Sequence, residues 1–183
     1  MYVDDLRLNN FLYAPSGPAA YYYNSIEDDF GKFILRNWLN GDGSAVEFHD
    51  GRWGEYISSN RHVLAYFKQL ACDAINDGSM VITDKSSLAL TNYGGGYSSG
   101  YELINGSNID VGGFLVVGLI SLVNYVYQVD LVFEFNDIID PNKDHRSDSV
   151  LAFLSTVSGY ACNDYQLRIT GSYSFTVPSG IIH

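Results

Sequence analysis

The sequence predicts an α+β domain in which N-terminal helices precede a curved antiparallel sheet or small open β-barrel carrying one inserted helix. Three observations lead there. Apolar residues recur at helical spacing between residues 25 and 78, and from Met80 onward they alternate at period two. Helical spacing then returns once, after residue 146. Helices first and strands later, within 183 residues, argue for one core rather than two. The expected organisation is an irregular segment over residues 1–24 and a single domain over 25–183, helical over about 25–78 and sheet-forming over about 80–178.

Pro15, Gly17 and Pro18 interrupt any element near the start, and Tyr21 to Tyr23 read as a sticky surface or packing strap. Ser25 is placed to cap a first helix, with Glu27, Asp28 and Asp29 in its first turn, where the helix dipole favours acids. Ile26, Phe30, Phe33, Ile34 and Trp38 form its apolar stripe, and Gly41 ends it. Gly41 to Gly54 reads as loop with a short strand at Ala45 to Phe48. A second helix spans about Asn60 to Asn76, burying Val63, Phe67, Leu70, Ala71 and Ala74, and Gly78 follows it.

Met80 to Thr83 and Leu88 to Thr91 are short strand candidates, followed by a glycine-rich tip over Asn92 to Gly100. The Gly94-Gly95-Gly96 triplet lacks the Lys-Ser/Thr and the following helix of a phosphate loop. Leu103 to Val117 and Leu119 to Phe135 are the main sheet-forming runs. From Val123 to Phe135 the alternation is sustained, with Tyr127, Val129, Leu131 and Phe133 on one parity and Gln128, Asp130 and Glu134 on the other. Ser147 or Asp148 opens a short helix that Gly159 ends, and Tyr165 to Thr170 pairs with Tyr173 to Val177 around Gly171.

Composition narrows the function classes. The net charge of −11 leaves no basic surplus for phosphates, so nucleic acid is not an expected partner of the domain as a whole. An acidic small domain fits a toxin or enzyme that meets a basic partner. Cys72 and Cys162 set no disulfide framework, and Cys72 sits on a helical pattern as a small buried thiol. The start of the chain, with Asp4 and Asp5, has no signal-peptide pattern, and the apolar run Phe114 to Val123 is too short to span a bilayer.

The chemistry concentrates just after the long strand. Asp137, Asp140, Asp144, His145 and Arg146 fall within ten residues, with Pro141 and Asn142 turning the chain between them. Carboxylates can activate water or hold a hard cation, an imidazole can move a proton near neutral pH, and a guanidinium fork can stabilise phosphate charge. The plain alternative is an acidic turn in which Arg146 pairs with Asp137. His62 reads as a surface or boundary residue, His49-Asp50 lacks the companions of a zinc site, and Arg52 and Trp53 read as a surface loop or a binding face.

The order of these features resembles the activity domain of colicin M and related lipid II-degrading bacteriocins. The likeness runs from about Phe30 to Phe175 and includes Trp38-Leu39-Asn40-Gly41-Asp42-Gly43, but its specific part is Asp137-Ile138-Ile139-Asp140 followed by His145-Arg146. The family signature is Asp-x-Tyr-Asp and then His-Arg. Here Ile139 stands at the tyrosine position, and the gap before His145 is one residue shorter.

The resemblance implies an Mg²⁺-dependent phosphoester hydrolase that cleaves lipid II between undecaprenyl and pyrophosphate. Asp137, Asp140, His145 and Arg146 would be catalytic, with Asp137 and Asp140 at the metal. It also implies action in the periplasm of a target cell and a cognate immunity protein. A delivered effector and an excised toxin domain both fit. Two other classes remain open: a toxin nuclease using His145 and Arg146 on RNA, and a non-catalytic adaptor binding through its aromatic residues.

Overall fold

A computed structural model of the chain describes residues 18–49, 51–91, 99–104, 113–140 and 161–180. Its elements are α1 (Pro18–Ser25), α2 (Asp29–Asn40), β1 (Val46–His49), α3 (Gly51–Ser58), α4 (Arg61–Asn76), β2 (Val81–Ser86), α5 (Gly100–Ile104), β3 (Gly113–Val123), β4 (Val126–Ile139) and β5 (Tyr165–Pro178). The five strands form one sheet in the order β1-β5-β4-β3-β2. The pairs from β2 through β5 are antiparallel, whereas β1 runs parallel to β5. The α+β expectation holds, and the sheet is mixed and open rather than closed into a barrel. A parallel partner needs a long crossover, and among the described residues three helices and three strands lie between β1 and β5.

Two polar side chains fix the helix starts. The Asp28 carboxylate caps α2 by accepting the Gly31 N–H at 2.5 Å. It also accepts the Tyr56 hydroxyl and the Gly100 N–H, each at 3.0 Å, and so ties α3 and the start of α5 to α2. Asn60 caps α4 through the N–H groups of His62 and Val63, and its amide donates to the Leu90 carbonyl at 2.9 Å. Sequence reasoning placed the first cap at Ser25, but Ser25 closes α1 instead. That helix begins inside the stretch expected to be irregular, because a proline at the first helical position forfeits only an N–H that has no helical acceptor.

Helix α3 was read as loop. Gly51 and Gly54 suggest a turn, yet Trp53 and Ile57 are buried at helical spacing, and Trp53 stacks on Phe48 with ring centroids 4.2 Å apart. Arg52 is exposed and lies over the Phe30 ring, whereas Trp53 belongs to the core and not to a surface loop. Cys72, expected in the core, is half-buried on α4.

In the sheet, the break between β3 and β4 falls at Asn124-Tyr125, whose φ angles of 51° and 63° match a primed hairpin turn, and not at Gly118. Gly118 sits mid-strand, where a Cβ would lie 2.3 Å from Leu131. Leu103 and Ile104 belong to α5, and Leu88–Thr91 is not a strand. Tyr165 to Pro178 is one continuous strand and not a pair around Gly171. A Cβ at Gly171 would meet Phe133 at 2.7 Å and the Gly54 Cα at 2.9 Å, so this glycine marks the close approach of α3 to the sheet. The helix expected over residues 147–159 lies outside the described residues.

One sheet face takes Val63, Phe67 and Ala71 of α4 together with the buried sides of α2 and α3. Phe67 packs on Phe133 at 5.4 Å, and Phe114 on Phe135 at 5.0 Å. Each such ring contributes roughly 1.5–3 kcal/mol by leaving water. Among the described residues no helix is long and apolar enough to cross a membrane, and Phe114–Val123 lies in β3.

Candidate functional site

Strand β4 carries the sequence-predicted site at its end. Val129, Leu131, Phe133 and Phe135 turn into the core at period two, and Asp137 and Ile139 continue that parity. Asp137 is therefore a core-facing carboxylate, only 3% exposed, opposite Leu167 of β5. Its Oδ1 accepts the Ile138 N–H at 2.9 Å. Burial first, and then the negative charge of Asp137, push the Tyr165 phenol far above its ordinary range, so it stays protonated and donates to the Ile34 carbonyl at 3.2 Å. Asp140 lies just past the strand end and is half-buried, which makes it the more open of the two carboxylates.

The chain re-enters the sheet at the same end, because Ile139 pairs with Tyr165. Residues 162–164 are fastened there by the C-terminus of α2. The Cys162 N–H donates to the Leu39 carbonyl at 3.3 Å, and the Asn163 N–H to the Trp38 carbonyl at 3.1 Å. The Asn163 amide donates to the Gly41 carbonyl at 2.9 Å, and the Trp38 indole to the Asp164 carboxylate at 3.1 Å. Trp38 to Gly43 and Asp137 to Asp140, distant in sequence, thus meet at one end of the sheet. Asp42 is held below the usual carboxylate range by the Ser44 hydrogen bonds.

Asp137 and Asp140 are the members of the predicted quartet that the structure places, three residues apart and on opposite parities. His145 and Arg146 lie outside the described residues. No group of three or more His, Cys, Asp or Glu side chains is arranged for a metal among the described residues. Mg²⁺ commonly takes one or two carboxylates and completes its shell with water and substrate phosphates, so Asp140 fits that donor chemistry. Asp137 stands behind it, turned toward the core.

A second polar constellation, which sequence reasoning did not assemble, occupies the sheet face opposite the helices. Glu47 and His49 of β1 lie beside Arg168 and Thr170 of β5, which lie beside Asn136 and Glu134 of β4. The His49 Nε2 is 3.5 Å from Glu47, and its Nδ1 is 3.2 Å from the Thr170 hydroxyl. His49 thus belongs to a cross-strand network on β1 and β5, and its sequence neighbour Asp50 lies outside the described residues. Arg168 bridges Glu134 and Glu47. The alternation of Glu134 and Asn136 placed them on the polar face, but only the parallel β1–β5 register brings Glu47 and His49 alongside.

The Arg168 hydrogen bond holds the Glu134 carboxyl below its ordinary 4.5, against partial burial and with help from Asn136. A depressed carboxyl stabilises the fold above its unfolded value and loses that contribution as pH falls through its folded value. Glu134→Gln is therefore expected to lower the urea midpoint at about pH 7 and to match wild type more closely at about pH 3. A gap between the two proteins that does not narrow on acidification would contradict the assignment.

No known family model, curated protein or solved structure matches this chain.

Proposed function

We propose that this chain is an antibacterial hydrolase of the colicin M type, cleaving the bond between undecaprenyl and pyrophosphate in lipid II. The observation that carries the reading is the end of β4. A rigid strand delivers Asp137 and Asp140 in the spacing of the family motif, and His145-Arg146 follow in the sequence. The meeting of Trp38–Gly43 with the same sheet end supports it, since that segment is the other part of the likeness.

The reaction consumes one water and releases undecaprenol and the pyrophosphate-linked sugar peptide. In this reading Asp140 accepts the proton of the attacking water, because it is the half-buried carboxylate at the strand end. Asp137 lies inside the domain and orients the strand terminus by accepting the Ile138 N–H. Arg146 spreads a planar fork over phosphate oxygens, and His145 returns a proton to the departing oxygen. Bound Mg²⁺, with Asp140 as its protein ligand and Asp137 behind, would neutralise phosphate charge. A periplasmic site of action and a cognate immunity protein belong to the same reading.

The test is purified protein incubated with labelled lipid II and Mg²⁺, followed by extraction of the lipid product. Free undecaprenol supports the proposal. Intact lipid II at high enzyme concentration overturns it, and loss of RNA under the same conditions would identify the nuclease instead.

A further inference from the structure

Eleven large apolar side chains stand exposed among the described residues, and all but Tyr21 and Ile138 gather in one region. That region is the β2–β3 flank of the open sheet face and the hairpin tip beyond it. Leu115, Val117 and Leu119 of β3 form its axis, with Val81 of β2 and Val132 of β4 beside them and Tyr125 at the tip. Exposure in the region runs from 44% at Leu115 to 85% at Tyr125. A typical monomer's largest apolar patch covers about 300–600 Å². Here Val81, Leu115, Val117, Leu119 and Val132 share the open sheet face as one contiguous apolar surface, with Val123 farther along the same face, whereas Leu122 falls on the opposite parity at the hairpin tip.

We propose that this flank is a self-association surface, on which a second copy of the chain packs the same patch about a two-fold axis. The charge pattern is self-complementary. Lys85 borders the patch beside Leu115, and Asp130 borders it at the opposite corner beside Leu119. Val117, paired to Thr83 on one side and Val132 on the other, lies midway between them. A two-fold axis in the plane of the interface, crossing the Lys85–Asp130 diagonal at Val117, exchanges the two corners. Each lysine then faces the other copy's aspartate, while apolar side chains meet apolar side chains. Glu134, the remaining acid on this border, is already engaged by Arg168. The patch lies toward the start of β4 and Asp140 just past its end, so the pairing leaves the candidate site open and does not depend on its chemistry.

Sedimentation equilibrium of the whole chain across the micromolar range tests this. Wild type is expected to show a concentration-dependent dimer, and Leu119→Asp a monomer with unchanged far-UV circular dichroism. Lys85→Asp and Asp130→Lys are each expected to weaken the dimer several-fold or more, and the double variant K85D/D130K to recover it. A monomeric wild type overturns the proposal. So does a dimer indifferent to Leu119→Asp, or a double variant no tighter than either single one. A monomer that instead sediments with phospholipid vesicles would assign the flank to a lipid surface and also overturn it.

Discussion

Asp140→Asn is expected to leave the fold intact and to cut lipid II hydrolysis by about 10²–10⁴-fold, the range for removing a positioned acid or base. The fold should survive because Asp140 lies past the last paired residue of β4, and the asparagine preserves its shape. The loss should appear in kcat, since an uncharged amide still accepts hydrogen bonds from substrate but cannot take a proton from water. Asp137→Asn should behave differently. Its side chain is buried beside Leu167 and the Tyr165 phenol, so the change should show first in thermal stability. Undecaprenol release by Asp140→Asn at the wild-type rate would remove this carboxylate from the mechanism.

Trp38→Ala is expected to cost about 3–5 kcal/mol, the usual range for emptying a buried indole site. Trp38 is fully buried, and its ring nitrogen joins α2 to Asp164 while its backbone carbonyl accepts from Asn163. For a domain of this size the melting temperature should fall by roughly 6–20 degrees. Trp38→Phe separates the two contributions. It keeps an aromatic ring in the core and removes only the indole N–H, and because Asp164 is exposed, water can replace the lost partner. The expected cost is therefore about 1 kcal/mol or less. Equal melting temperatures for Trp38→Ala and wild type would mean that the clamp does not hold the sheet end together.

Local signals were legible where one element's own periodicity decided the outcome. The α4 helix, with Asn60 ahead of it and Gly78 behind, was readable to within a residue, as was the polar-apolar alternation of β4. Expected boundaries fail where glycine reads as punctuation but is set by crowding. Gly118 and Gly171 are mid-strand residues forced small by Leu131, Phe133 and α3, and no single-sequence pattern records such crowding. Helix α3 carries a readable pattern, with Trp53 and Ile57 buried at helical spacing, but Gly51 and Gly54 within it point to a loop. At the candidate site, the sequence indicated which carboxylates share β4 but not their depth. Continuing the parity of Val129 through Phe135 would have turned Asp137 inward from the outset. The Glu47–Arg168–Glu134 network needed a parallel pairing between strands at opposite ends of the described chain, which alternation alone cannot supply.

The place of β5 also fixes an order of events in time. It is the latest described strand to leave the ribosome, yet it lies between β1 and β4. Among the described strands, β1 pairs only with β5, and β5 also covers one edge of β4. The sheet therefore cannot be completed from local contacts alone, because β5, an interior strand, pairs with a partner distant in sequence. The seam between β1 and β5 therefore joins the first described strand to the last, and the long loop between them must close before either strand gains from the pairing.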